Sequence, residues 1–148
     1  MVSSRTKRLR VVYAVTTVLF LALQSWSVWQ YLTEAPRMTD TITELGYPIY
    51  FMKILAVAKL LGVLAIATGL SPTLKEWAYA GFTFDVCGAF ASHVSRGDSL
   101  IVALVPLAFL AAQLASYYCW KQMGVRRASR RRRYAFDADR RELAQSTA

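Results

Sequence analysis

Apolar residues gather into four runs, Val11–Leu32, Tyr50–Leu70, Trp77–Val94 and Leu100–Trp120, separated by short polar stretches. Each run is close to the ~17–25 residues that a helix needs to cross a bilayer core. In lipid the backbone must satisfy its own hydrogen bonds, so runs of this length are expected to be helices. The polar/apolar alternation of a membrane barrel is absent. The pattern predicts an all-α membrane protein, a four-helix transmembrane bundle with helices near residues 11–32, 50–70, 76–94 and 100–120.

Boundary residues agree with that division. Pro36 and Gly46-Tyr47-Pro48 fall in the first connection, outside any run, and Ser71-Pro72 closes the second. Thr73-Leu74-Lys75-Glu76 matches a capping box, in which Thr73 caps the third helix and Glu76 reaches back to its amide. Gly97 breaks the chain before the fourth run, and Pro106 inside that run predicts a kink. Trp26, Trp29, Tyr31, Tyr47, Tyr50, Phe51, Trp77, Tyr79, Tyr117, Tyr118 and Trp120 sit near run ends, as in the aromatic belt at headgroup depth.

Charge adds an orientation. The chain of 148 residues is 55% apolar yet carries a net charge of +9, because the two properties occupy different segments. Residues 1–10 form a basic N-terminus and residues 121–148 a basic tail, with the 11–120 domain between them. The first connection carries Glu34, Asp40 and Glu44 against Arg37 alone. Lysine and arginine in short flanks favour the cytoplasmic side, so both termini are expected there, in a multi-pass protein of the cytoplasmic membrane. The first run exceeds the ~7–15 residues of a secretory leader core, and it reads as an uncleaved helix. The tail beyond residue 121 is expected to be partly disordered. Its Arg126–Arg133 patch suits anionic lipid headgroups, and nucleic-acid binding is not expected.

Two opposite charges interrupt the runs. Lys59 lies nine residues from Tyr50, and Asp85 nine from Glu76. At ~1.5 Å per residue both sit roughly 13–14 Å from an interface, near the middle of a ~30 Å core. A charge at that depth needs a partner or a task. Asp85 shares a helix face with Ala78, Gly81, Gly88, Ala89 and Ser92, small residues that let another helix approach. Lys59 shares one with Ala56 and Gly62. The short second connection makes the two helices antiparallel neighbours, so a Lys59–Asp85 ion pair is expected. Separate satisfaction by backbone carbonyls, Gln24, Gln113 or a buried water is the alternative.

The remaining chemistry is sparse. Gln24, Lys59, Asp85, Ser92, His93, Gln113 and Ser116 are the candidate polar groups inside the membrane region. His93, at the outer end of the third run, reads as an interfacial proton or ligand group, or as a histidine bonded to a loop carbonyl. Cys87 and Cys119 have no CxxC or Cys/His spacing, so no metal site is expected and both read as buried packing thiols. No nucleophile with an adjacent base, glycine-rich phosphate loop or paired catalytic carboxylates appears. A self-contained enzyme and an intrinsic cofactor are therefore not expected.

Leu45-Gly46-Tyr47-Pro48, Lys59-Leu60-Leu61-Gly62, Leu74 to Phe82, Ser92-His93 and Gly97-Asp98 together resemble the DoxX-like family over roughly residues 11 to 120. The resemblance implies a small four-helix integral membrane protein, with Lys59, Glu76, Trp77, Tyr79, Gly81 and His93 as family-pattern positions. It also implies links to membrane redox systems, through a namesake subunit of a thiosulfate:quinone oxidoreductase. The arginine-rich tail is not part of the shared pattern.

Three readings follow. The protein is a membrane subunit of a quinone-linked or thiol-redox system, whose interior takes a quinone or other lipid-soluble ligand at Lys59, Tyr79 or His93. Or it is a small-solute or proton-coupled carrier using Lys59, Asp85 and His93. Or it is a scaffold partner in which the ion pair fixes helix register.

Overall fold

A computed structural model describes the backbone from Ser4 to Ser146 and the side chains from Lys7 to Val125. The chain forms α1 (Ser4–Leu32), α2 (Pro36–Glu44), α3 (Ile49–Thr68), α4 (Pro72–Arg96) and α5 (Leu100–Ser146), with no strand among the described residues. Helices α1, α3, α4 and α5 carry the four apolar runs in that order. α2 is additional, lying in what the sequence presents as a connection. Pro36 opens it at the first helical position, where the missing N–H costs nothing. Gly46, at φ 86°, closes it, its amide bonding Thr43 O while Tyr47 N–H bonds Ile42 O. Nine residues at ~1.5 Å each are too few to cross a bilayer.

Two other boundaries move. The N-cap of α4 is Ser71, whose hydroxyl accepts from the Leu74 amide, with Pro72 at the first helical position. Thr73 is therefore inside the helix, and Glu76 pairs with Lys121 instead of closing a capping box. α5 passes Pro106 without interruption and runs beyond the expected end at residue 120 to Ser146. The Arg126–Arg133 patch lies outside the residues whose side chains are described.

The four long helices form a ring. α1 packs against α3 and α5, and α4 packs against the same two from the opposite side. Phe20 of α1, Ile66 of α3, and Tyr79 and Phe82 of α4 make the buried centre. The Phe20 and Phe82 rings meet edge to face at 5.1 Å, a favoured aromatic arrangement. Gly62 is what lets α3 and α4 close on that centre. A Cβ there would stand 2.7 Å from Phe82 Cε2.

Outside the ring the surface is apolar. Val18, Leu61 and Ile101 are 66%, 62% and 79% exposed. A soluble helix would put charged residues on that face, and an apolar surface this extensive needs an apolar surrounding. Lys7–Leu32, Ile49–Thr68 and Leu100–Val125 are long and apolar enough to cross a membrane. α4, at 25 residues, is long enough but carries Lys75, Glu76, Asp85, His93 and Arg96.

Candidate functional site

The inward face of α1 orders the polar groups by depth. Tyr13, Thr17, Phe20, Gln24, Ser27 and Tyr31 recur at three- and four-residue spacing, so they form one stripe. Tyr13 and Thr17 serve a proximal cluster, near the start of α4. Ser27 and Tyr31 serve a distal cluster, near α2. Phe20 lies between them.

The distal cluster is built on Lys59 and Asp85. Lys59 Nζ stands 2.9 Å from Asp85 Oδ2, with side chains 10% and 19% exposed, so the pair is shielded on both sides. The ammonium also donates to Ser27 Oγ at 3.4 Å and lies 5.1 Å from the centre of the Tyr31 ring. Helix α1 thus supplies a hydroxyl and an aromatic face, each suited to a cation. Neither Gln24 nor Gln113 takes that part. Gln24 is buried, and Gln113 bonds elsewhere. Pairing offsets the large cost of withdrawing each charge from water, whereas either charge alone would bear it in full.

Above the pair lies a cavity of about 550 Å³, in the range of small-molecule sites. Its floor is Lys59 and Asp85, and its walls include Trp26, Tyr31, Tyr47, Phe51 and Phe84. Helix α2 roofs it, contributing Arg37, Met38 and the buried Ile42. Polar contacts hold the roof. Arg96 Nη1 bonds Glu44 at 2.7 Å and Arg96 Nε bonds Asp98 at 3.2 Å. Tyr47 OH donates to Ser92 Oγ at 2.9 Å, since the Ser92 proton goes to Gly88 O. Lys53 and Glu34 pair at 2.8 Å, but both are exposed and hold α2 weakly.

His93 belongs to this roof. Its Nδ1 lies 2.6 Å from Asp98 Oδ2, so its partner is a carboxylate and not a loop carbonyl. Gly97, at φ 79°, makes that contact possible by ending α4 in a left-handed turn, with the Asp98 amide returning to His93 O.

The proximal cluster was not legible as a site. Lys75, which the sequence places in a helix-starting motif, is 5% exposed. Its ammonium donates to Tyr13 OH at 2.7 Å and Ile66 O at 3.1 Å. The second acceptor belongs to the last turn of α3, where orphan carbonyls favour a cation. The Tyr13 and Trp120 rings flank it at 5.4 and 5.3 Å. One turn deeper, Ser116 Oγ joins Thr17 Oγ1 at 2.5 Å and Tyr79 OH at 2.8 Å. Gln113 Nε2 donates to Tyr79 O and to Thr83 Oγ1, while Gln113 Oε1 is buried with no partner. Among the described residues it is the one buried side-chain polar atom without a partner.

The sequence-derived candidates therefore divide. Lys59 and Asp85 meet, and His93 lies above them on the same cavity wall. Tyr79 is 3% exposed and packs against Tyr117 at 5.2 Å, so it is a core residue and not part of an interfacial belt. Trp77 and Gly81 face outward along an α3/α4 groove, and Glu76 pairs with Lys121. A Cβ on Gly81 or Gly88 would meet nothing within 4 Å, so these two do not draw helices together. Cys119 is buried, but Cys87 is exposed and is not a packing thiol. Among the described residues no group of three or more His, Cys, Asp or Glu could hold a metal ion.

A closed ring of helices with an apolar outside and charges paired inside is a helical membrane protein. Residues 14–116 match the model of the DoxX-like family, and the chain belongs to that family. No curated protein and no solved structure matches it.

Proposed function

We propose that the protein is a four-span subunit of a quinone-linked membrane redox system, and that its distal cavity binds the quinone ring. The basic flanks of α1 and α5 support a cytoplasmic position for both termini, which leaves α2 and the cavity at the outer face. In this orientation α4 is the fourth span, its polar residues turned inward or set at its ends.

One observation carries the ligand reading. A cavity of about 550 Å³ has aromatic walls and a single ammonium–carboxylate pair at its floor. A planar, uncharged ring suits the walls. Its carbonyl oxygens accept hydrogen bonds, and Lys59 at the floor supplies an N–H donor. The chain supplies binding, orientation and exclusion of water, and electrons come from a partner subunit. A carrier function has less support. Phe20, Ile66 and Phe82 fill the section between the distal and proximal clusters, and no described side-chain hydrogen bond links the two.

The test is equilibrium binding of a short-chain quinone to the full chain in lipid nanodiscs, read by tryptophan quenching, because Trp26 lines the cavity. Saturable quenching is expected, weakened at least tenfold when Lys59→Met and Asp85→Leu are combined. Quenching that does not saturate, or that the double variant leaves unchanged, overturns the reading.

A further inference from the structure

We infer that the ligand of the distal cavity carries a long apolar tail, housed in a lateral groove between α3 and α4, and that it enters from the bilayer. The inference rests on the headgroup reading above and adds the class of molecule.

A second cavity, of about 500 Å³, runs along the outer face of the α3/α4 seam. Ala58, Gly62 and Ala65 line it from one helix, and Trp77, Ala78 and Gly81 from the other. Apart from Lys59 and Asp85 at its distal end, its lining is apolar. The two cavities share four residues, Leu55, Lys59, Phe84 and Asp85. The ion pair is therefore a common wall, with polar and aromatic surroundings above it and hydrocarbon-like surroundings below and outside.

Small residues make the groove. In a membrane they usually mark close helix contact. Gly62 fits that rule, since its missing side chain is filled by Phe82, but Gly81 has open space where a Cβ would be. A larger residue at 81 would fit without clash, and it would fill the groove. Open space beside a buried charge pair suits one kind of occupant, a chain whose polar end reaches the pair. A free hydrocarbon chain would leave the pair uncovered. A water-soluble ligand would leave the groove unused. Phe84, 78% exposed at the junction, stands where such a molecule would pass from bilayer to cavity.

The test uses the full chain in nanodiscs and two quinones of identical ring, one without a tail and one prenylated, each corrected for partition into empty nanodiscs. The wild type is expected to bind the prenylated form at least tenfold more tightly. Gly81→Leu is expected to remove that advantage and leave the affinity for the tail-less form within twofold. Ala58→Phe narrows the groove from the opposite, exposed wall, and it decides the matter if Gly81→Leu does not fold. A tail advantage that survives both substitutions overturns the inference, the groove then holding bulk lipid only. A dimeric wild type that Gly81→Leu makes monomeric also overturns it, by assigning the groove to a second copy. Failure of the wild type to bind either quinone overturns the headgroup reading itself. Equal binding of both quinones overturns only the tail.

Discussion

The ring of Phe82 occupies the space that any side chain on Gly62 would need, with Cε2 2.7 Å from the position of an added Cβ. Phe82 is locked against Phe20 and cannot yield freely. Gly62→Ala is therefore expected to destabilise the bundle by about 1–3 kcal/mol, the usual range for overpacking. Gly88→Ala serves as the control, because nothing lies within 4 Å of its Cβ. There the lower helix propensity of glycine predicts a gain of about 0.5–1 kcal/mol. Thermal unfolding of both variants in one detergent checks the pair. Equal shifts would refute the close approach of α3 and α4.

Breaking the ion pair on one side should be worse than removing it. Lys59→Met leaves Asp85 without its cation, in surroundings that include Tyr31, Leu55 and Phe84. A loss of about 3–5 kcal/mol is expected for either single change. The combined Lys59→Met, Asp85→Leu variant should recover most of it, because a buried pair contributes little net against apolar residues of similar size. A double-mutant cycle on unfolding free energy measures the coupling, and additive losses would argue against the contact.

Lys75 and Tyr13 make an unequal pair. Lys75→Met leaves the buried Ile66 O and the part-buried Tyr13 OH without their donor, and an orphaned buried group costs about 1–3 kcal/mol. Tyr13→Phe removes one acceptor but leaves Lys75 its bond to Ile66 O and its contact with the Trp120 ring. The lysine substitution is expected to lower the unfolding temperature more. The reverse order would mean that Lys75 is not held as described.

The hydroxyl relay through Ser116 has a similar asymmetry. Tyr79→Phe leaves Ser116 bonded to Thr17, so the expected cost is about 1 kcal/mol. Ser116→Ala leaves both the Tyr79 and the Thr17 hydroxyls short of a partner and is expected to cost more, about 1–3 kcal/mol. Denaturant unfolding in mixed micelles separates the two values.

Arg96 ties the roof to the bundle. Arg96→Ala removes its bridge to Glu44 at the end of α2. Arg96 and Glu44 are each at least one-third exposed, and Asp98, the other partner of Arg96, keeps His93, so global stability is expected to change by less than about 1 kcal/mol. Amide exchange across residues 36–44 should nevertheless quicken, since local opening depends on local contacts. Unchanged exchange in α2 would show that Ile42 and Tyr47 hold the roof by themselves.

The helical class and the four apolar segments were legible because the bilayer demands long apolar helices, and residue order alone displays them. The Lys59–Asp85 contact was also within reach of the sequence. Both charges fall at matching depths on consecutive helices, and helical geometry does the rest. α2 escaped because Pro36 and Gly46 read equally well as turn residues and as a helix start and stop, and nine residues give periodicity little room. Lys75 escaped for a different reason. Its neighbours in sequence describe a helix cap, while its acceptors, Tyr13 OH and Ile66 O, come from two other helices. Small residues on α3 and α4 carried an ambiguous signal as well. Glycine marks either a close approach or a hollow, and only the positions of the opposing side chains decide which. At Gly62 the Phe82 ring fills the gap, and at Gly81 the gap stays open. Sequence by itself determined the solvent this protein belongs to, since hydrophobic transfer depends on composition along the chain. Tertiary structure decided where the cavities lie, since empty space is a property of how side chains from several helices meet.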